Sequence, residues 1–407
     1  MSKKTYKVKA LGCRTNQYEA QGFVDQLTEQ GYREAMPGEK VDVLIVNTCT
    51  VTKGADSDSR HQIRKLAKQH NSQVIVTGCS AQKEPKIYQE MPEVKAVVDN
   101  ENKEKLLNHL YPEDKWPEFS IKHFKAHTRA FVKVQDGCNS FCTYCIIPYV
   151  RGRSKSRPVE KIVKEITTLV QNGYKEVVLT GINVGDFKDG KKTLADLVKA
   201  CDQIDGLERI RISSIDPDDI DDNLLDTVIN GKKTCPSMHI VLQSGSDTIL
   251  KKMNRKYTKQ LFFNTIQSLQ KHNNFTFTTD VIVGFPGETA YDFDETLEVI
   301  KRVPFAKVHG FIYSKRERTR AATYPNQVAP NIAKERLQVL LKTAQKQAFK
   351  LRENHVGKTQ KVLMEKDNFG HTENFLEVWL NKRHKPNTIV EVTLEKNTPE
   401  GLYGTVG

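Results

Sequence analysis

Within residues 1–80 an apolar, strand-like run ends three times in a short turn that carries a cysteine: Leu11-Gly12-Cys13, Asn47-Thr48-Cys49 and Thr77-Gly78-Cys79. The runs, at 6–11, 41–47 and 74–78, alternate with helical patterns near 16–30 and 55–70, which specifies a parallel α/β sheet. The carboxyl ends of such strands share one edge, where ligands bind, so Cys13, Cys49 and Cys79 are predicted to converge. Any one of them alone reads as a buried, apolar core cysteine. Three in register do not.

A fourth strand and helix near 94–98 and 103–110 complete this unit before a charged, Pro-containing stretch from Tyr111 to Pro117. A second alternating run follows, with strands near 130–134, 176–180, 209–213, 239–242, 276–283 and 307–313, and six such units suggest an open, partial barrel. A helical pattern near 332–354 leads into short alternating segments at 361–364, 375–380 and 388–394, which predict a small all-β module. The expected organisation is therefore α/β: an N-terminal parallel sheet domain at 1–115, a linker at 116–127, a partial (β/α)6 barrel at 128–345 and a small all-β barrel at 346–407.

No apolar run approaches the ~20 residues that span a bilayer. With 38% hydrophobic and 28% charged residues over 407 positions, a membrane protein and a disordered tail are excluded, and a cytosolic location is expected. The net charge of +13 favours a polyanionic partner. Residues 301–407 hold twenty Lys and Arg against ten Asp and Glu, so most of that charge sits in the last quarter. A nucleic-acid surface and a solvated basic face both account for it.

The densest chemical signal is Gly137-Cys138-Asn139-Ser140-Phe141-Cys142-Thr143-Tyr144-Cys145, just after the first strand of the second run. Three thiolates on one tight loop can hold three corners of a cubane iron-sulfur cluster, leaving the fourth iron open to a ligand. A zinc knuckle completed by His123 or His127 is the alternative, although the spacing leaves no paired ligand downstream. Cys201 and Cys235 have no such company and read as core or loop residues.

With both cysteine sets in this order, nearly the whole chain resembles the methylthiotransferases of the radical S-adenosylmethionine (SAM) superfamily, down to the flank Ile146-Ile147-Pro148-Tyr149-Val150-Arg151-Gly152-Arg153. The resemblance implies two [4Fe-4S] clusters: one on Cys138, Cys142 and Cys145, the catalytic set that binds and reduces SAM to release a 5′-deoxyadenosyl radical, and one on Cys13, Cys49 and Cys79 that holds the sulfur to be inserted. It also implies two SAM per turnover and an external electron donor of flavodoxin or ferredoxin type. Motifs around Gly181, Asn183, Ser213, Ser214, Asp216, Gln243 and Gly284 are similar to the family's strand-end motifs, which together with Tyr144 become the expected SAM contacts. Residues 355–407 are similar to the family's RNA-binding TRAM barrel. The substrate implied is a modified adenine beside the anticodon, in a tRNA anticodon stem-loop.

Within the family, Cys13-Arg14-Thr15-Asn16 and Cys49-Thr50-Val51-Thr52 most resemble members that act on threonylcarbamoyl-adenosine. Members acting on isopentenyl-adenosine or on a ribosomal-protein aspartate are the alternatives, and a non-catalytic, zinc-stabilised RNA-binding protein is the rival from another class. Arg318 stands where the family usually has Gly. The C2 hydrogen of adenine is not appreciably acidic, so a radical route fits where acid-base catalysis has nothing to act on. Candidate phosphate contacts are Arg151, Arg153, Lys315, Arg316, Arg318 and Arg320.

Overall fold

The computed structural model describes residues 3–124, 127–271 and 274–407. Residues 1 and 2 of the expected first domain, 125 and 126 of the expected linker, and 272 and 273 lie outside the described residues.

Five parallel strands open the chain, in the order Arg33–Glu34, Thr5–Ala10, Val43–Thr48, Val74–Gly78, Val94–Val97. The central two are buried along their whole length. Side chains alternate across a strand, so Leu44, Val46, Val74 and Val76 enter one apolar core and Val43, Ile45 and Ile75 the other. The helix Arg14–Glu29 starts directly at Cys13, and Lys53–His70 is capped by Thr52, whose side chain accepts from the Ala55 amide.

The second run forms two parallel three-stranded sets, Arg129–Lys133 with Glu176–Thr180 and Arg209–Ile212, then Ser237–His239 with Thr276–Val283 and Phe305–Ile312. Single bridges from Ile210 to Thr234 and from Ile215 to Ile240 join them. Six strands thus run side by side in chain order, and among the described residues the first and last do not pair, which is the partial (β/α)6 barrel expected. The expected boundary at 345/346 falls inside the helix Pro330–Glu353, which packs along Phe305–Ile312.

A closed five-stranded barrel ends the chain, ordered Thr359–Lys366, Phe369–Thr372, Glu377–Leu380, Leu402–Val406, Ile389–Asn397. It docks at the amino ends of the partial-barrel strands. Arg209 donates to the carbonyls of Lys361 (2.8 Å) and His371 (3.3 Å), and Arg211 to those of Thr372 and Glu373 (both 2.9 Å) and to Glu176 (2.6 Å). Arg129 and Arg211 both sit over the Phe375 ring at 5.0 Å. Among the described residues no helix is long and apolar enough to cross a membrane.

Candidate metal centre and active-site cavity

At the other, carboxyl end of the strands lies a cavity of about 470 Å³ whose wall includes Cys13, Cys49, Cys79, Cys138, Cys142 and Cys145. The first three arrive on strand ends, as their register requires. Gly12, at φ +83°, lets them close up: a Cβ there would lie 2.4 Å from Cys49 Sγ. Asn16 Nδ2 ties the strand ends together by donating to the carbonyls of Leu11 (2.7 Å) and Thr48 (3.0 Å). The second set sits on a loop pinned from outside. The Thr143 amide and hydroxyl donate to the carbonyls of Met253 (3.0 Å) and Lys252 (2.8 Å), and Asn254 donates to those of Ser140 and Phe141 (both 3.2 Å).

Burial, reinforced by Cys142, pushes the Cys145 thiol up to about 12, and burial pushes Cys49 up to about 11. Two cations reach the sulfurs: Arg151 Nε donates to Cys79 Sγ at 3.1 Å and Arg255 Nη1 to Cys142 Sγ at 3.0 Å. Six soft donors with guanidinium groups beside them fit iron-sulfur clusters, whose thiolates carry net negative charge. The zinc knuckle is overturned by side-chain placement. His123 is exposed, His127 bonds Gln17 Oε1 at 3.1 Å, and neither lines the cavity. Among the described residues no three His, Cys, Asp or Glu side chains stand close enough together to hold a single metal ion.

Tyr144, Gly181, Asn183, Ser213, Ser214, Asp216 and Gln243 all line the same cavity. Ser213 Oγ, Gln243 Oε1 and Thr15 Oγ1 are buried there without a hydrogen-bond partner, so the wall has unused capacity for a polar ligand. Asp216 is paired with Arg255, and Asn183 donates to Asp219 at 3.1 Å. Gly284 is not brought to the cavity. Its N–H donates to the Glu288 carboxylate (3.1 Å), and at φ +71° a Cβ would lie 2.6 Å from Ala333 Cβ, so its smallness serves helix packing.

Two of the six candidate phosphate contacts are corrected. The Arg151 side chain is 1% exposed, paired with Glu19 (3.1 Å) and Asp136 (2.8 Å), and that of Arg316 is 3% exposed, paired with Asp56 (2.7 Å). Arg153, Lys315, Arg318 and Arg320 remain exposed. Sequence reasoning missed the buried charge cluster behind Cys79, in which Glu19 also meets Lys103 (2.7 Å) and Lys133 (3.5 Å). One signal was present: Glu19 lies on the helix face of Phe23 and Leu27, and a carboxylate on a buried face calls for cations. Cys201 and Cys235 are buried, with Cys201 in the partial-barrel core.

A smaller pocket of about 190 Å³ opens beside the cavity, walled by Val51, Tyr144, Ile147, Ile282, Phe311 and Tyr313. Val51 and Phe311 are exposed at its rim, and the Tyr313 hydroxyl has no partner.

Known proteins resemble this chain in sequence and in fold. The family described as "Radical SAM superfamily" matches residues 132–300, and "Uncharacterized protein family UPF0004" matches residues 5–99. The chain is 46% identical to "Threonylcarbamoyladenosine tRNA methylthiotransferase MtaB" of Chlamydia pneumoniae, over 99% of this chain and 98% of that one. It is 37% identical to the protein of the same name in Bacillus subtilis (90% and 88% covered), and 38% identical to "tRNA-2-methylthio-N(6)-dimethylallyladenosine synthase" of Pelotomaculum thermopropionicum (89% and 87% covered). Among solved structures, the radical S-adenosylmethionine methyltransferase TsrM of Kitasatospora setae shares the fold at TM-score 0.58 and 11% identity, covering 79% of this chain and 77% of that one. Two cysteine sets meeting at one cavity, on a radical SAM barrel joined to relatives of this identity and coverage, place the chain in the radical SAM methylthiotransferase family.

Proposed function

We propose that this protein is a tRNA methylthiotransferase that acts on N6-threonylcarbamoyladenosine beside the anticodon, replacing hydrogen at C2 of the adenine with a methylthio group. The observation that carries the reading is the convergence of Cys13, Cys49 and Cys79 with Cys138, Cys142 and Cys145 on one cavity, in a chain 46% identical to a protein named for that activity. Membership of the radical SAM family implies SAM and a [4Fe-4S] cluster, for which Cys138, Cys142 and Cys145 are the ligands proposed; Cys13, Cys49 and Cys79 would hold a second [4Fe-4S] cluster. When bound, these groups supply the one-electron chemistry and the sulfur that an unactivated C2–H demands, with electrons from a flavodoxin- or ferredoxin-type donor.

The chain's own contribution is placement. Ser213, Gln243 and Thr15 offer unpaired polar atoms to SAM, with Asp216 held in place by Arg255. The apolar pocket beside Cys145 takes the splayed-out base between Phe311, Tyr313 and Ile147. Exposed Arg153, Lys315, Arg318 and Arg320 face the RNA backbone, the excess of positive charge in the last quarter lies ahead of the barrel, in residues 301–354, and a tRNA substrate fits an enzyme of the cytoplasm.

The test is mass spectrometry of tRNA nucleosides from cells with and without the gene. Loss of 2-methylthio-threonylcarbamoyladenosine is the expected result. If only the 2-methylthio derivative of isopentenyladenosine disappears, the substrate assignment fails and the family chemistry stands. If neither changes, the substrate is not tRNA.

A further inference from the structure

Outside the cavity, one carboxylate gathers three separate parts of the chain. Asp56 Oδ1 accepts from Thr50 Oγ1 at 2.6 Å and from Ser80 Oγ at 2.8 Å, while Oδ2 accepts from Arg316 Nη2 at 2.7 Å. Thr50 directly follows Cys49 and Ser80 directly follows Cys79, so two of the three N-terminal cysteine turns hang on this one group. Arg316 comes from the far domain, in the segment after the last partial-barrel strand, and also donates to Thr50 Oγ1 at 2.5 Å. Five residues further on, the Ala321 N–H donates to the Thr143 carbonyl at 2.8 Å, between Cys142 and Cys145. Within the segment, the Thr319 hydroxyl bonds back to the Arg316 carbonyl at 2.6 Å, and Ser314 accepts from the Lys53 amide at 3.4 Å.

The segment therefore bonds residues beside both cysteine sets, Thr50 and Asp56 at one end and Thr143 at the other, and its charged end is buried. Lys83 Nζ also lies 3.5 Å from Asp56 Oδ2, but Arg316 is the cation within hydrogen-bond distance, and hydrogen-bonded charges taken out of water are stable only in tight geometry, so they fix position better than exposed ones do. We infer that residues 316–321 form a strap anchored on Asp56, which sets the separation of the two cysteine sets, with Arg316 and Asp56 as positioning residues for the transfer of sulfur to the base. The inference rests on the function proposed above for what the cysteines carry. The strap itself is a property of the metal-free chain.

Two readouts test it. Hydrogen exchange on the metal-free, full-length protein compares wild type with Arg316→Met and with the milder Thr50→Val, which serves if the first variant does not fold. The expected result is exchange about tenfold faster at residues 49–56, 79–84 and 142–145 together. Acceleration confined to 314–321 overturns the inference, because the pair would then be a local pin. In the reconstituted holoenzyme, Arg316→Met is expected to raise the ratio of 5′-deoxyadenosine to methylthiolated nucleoside about tenfold and to alter the magnetic coupling between the two reduced clusters, with Arg316→Lys restoring most of both. An unchanged ratio and coupling in both Arg316→Met and Thr50→Val overturns it. A wild-type enzyme that makes 5′-deoxyadenosine and no methylthio product sinks the proposed function instead and leaves the exchange result to decide on the strap.

Discussion

Arg151 Nε donates to Cys79 Sγ at 3.1 Å across the joint between the two large domains, and the same guanidinium is ion-paired to Glu19 at 3.1 Å and Asp136 at 2.8 Å. The sulfur of one domain is thus held by a cation of the other. Arg151→Met leaves Glu19 with two lysines and no guanidinium, and breaking a buried network of this kind costs about 3–5 kcal/mol. Urea denaturation of the metal-free protein is the measurement. Arg151→Lys is expected to recover less than half of the loss, because an ammonium cannot fork between Cys79, Glu19 and Asp136.

Ser213 and Gly284 were grouped by sequence and are separated by structure. Ser213→Ala removes an unpaired hydroxyl from the cavity wall and is expected to weaken SAM binding to the reconstituted enzyme about tenfold, roughly 1.4 kcal/mol. Gly284→Ala drives a methyl group into Ala333, costing about 1–3 kcal/mol of stability and leaving SAM affinity intact. Equilibrium dialysis and thermal melts of the two variants distinguish the effects.

Burial, aided by Asp216, Asp218 and Asp186, raises the Asp219 carboxyl from 3.8 to about 7. Between pH 4 and 7 the folded protein keeps a proton that the unfolded chain releases, so this group's contribution to stability falls as pH rises through that window and is level above it. The slope is at most about 1.4 kcal/mol per pH unit. Asp219→Asn removes the dependence. Its stability relative to wild type should grow from pH 4 to pH 7, and a difference that stays flat would refute the assignment.

Arg318 adopts φ +68°, the left-handed region in which L residues cost about 1–2 kcal/mol and glycine costs nothing. The resemblance puts Gly at this position, and the backbone has kept the glycine conformation under an arginine. Arg318→Gly is expected to leave stability unchanged or raise it by up to about 1 kcal/mol, whereas the β-branched Arg318→Val lowers it by more than about 1 kcal/mol. Thermal melts of the two variants separate the cases.

Local periodicity explains what was legible. The strands ending at Ala10, Thr48 and Gly78 announce themselves within six residues each, and the register that brings Cys13, Cys49 and Cys79 together follows from parallel pairing alone. Two-residue Arg33–Glu34 is too short to carry a period, and Leu402–Val406, with two glycines just before and within it, carries a weak one. The roles of Arg151 and Arg316 were illegible because their partners Glu19 and Asp56 lie 132 and 260 positions away, and a cation without its partner reads as surface. Gly284 misled for the same reason: the methyl group it avoids belongs to Ala333, on a different element.

The terminal β-barrel grips the first residues of the strands whose last residues lead into the cysteine cavity. A five-residue strand such as Glu176–Thr180 is about 17 Å long, so the barrel and the cavity are held about one strand length apart. The strands are in this respect a spacer, whose length fixes how far the terminal barrel stands from the cysteines.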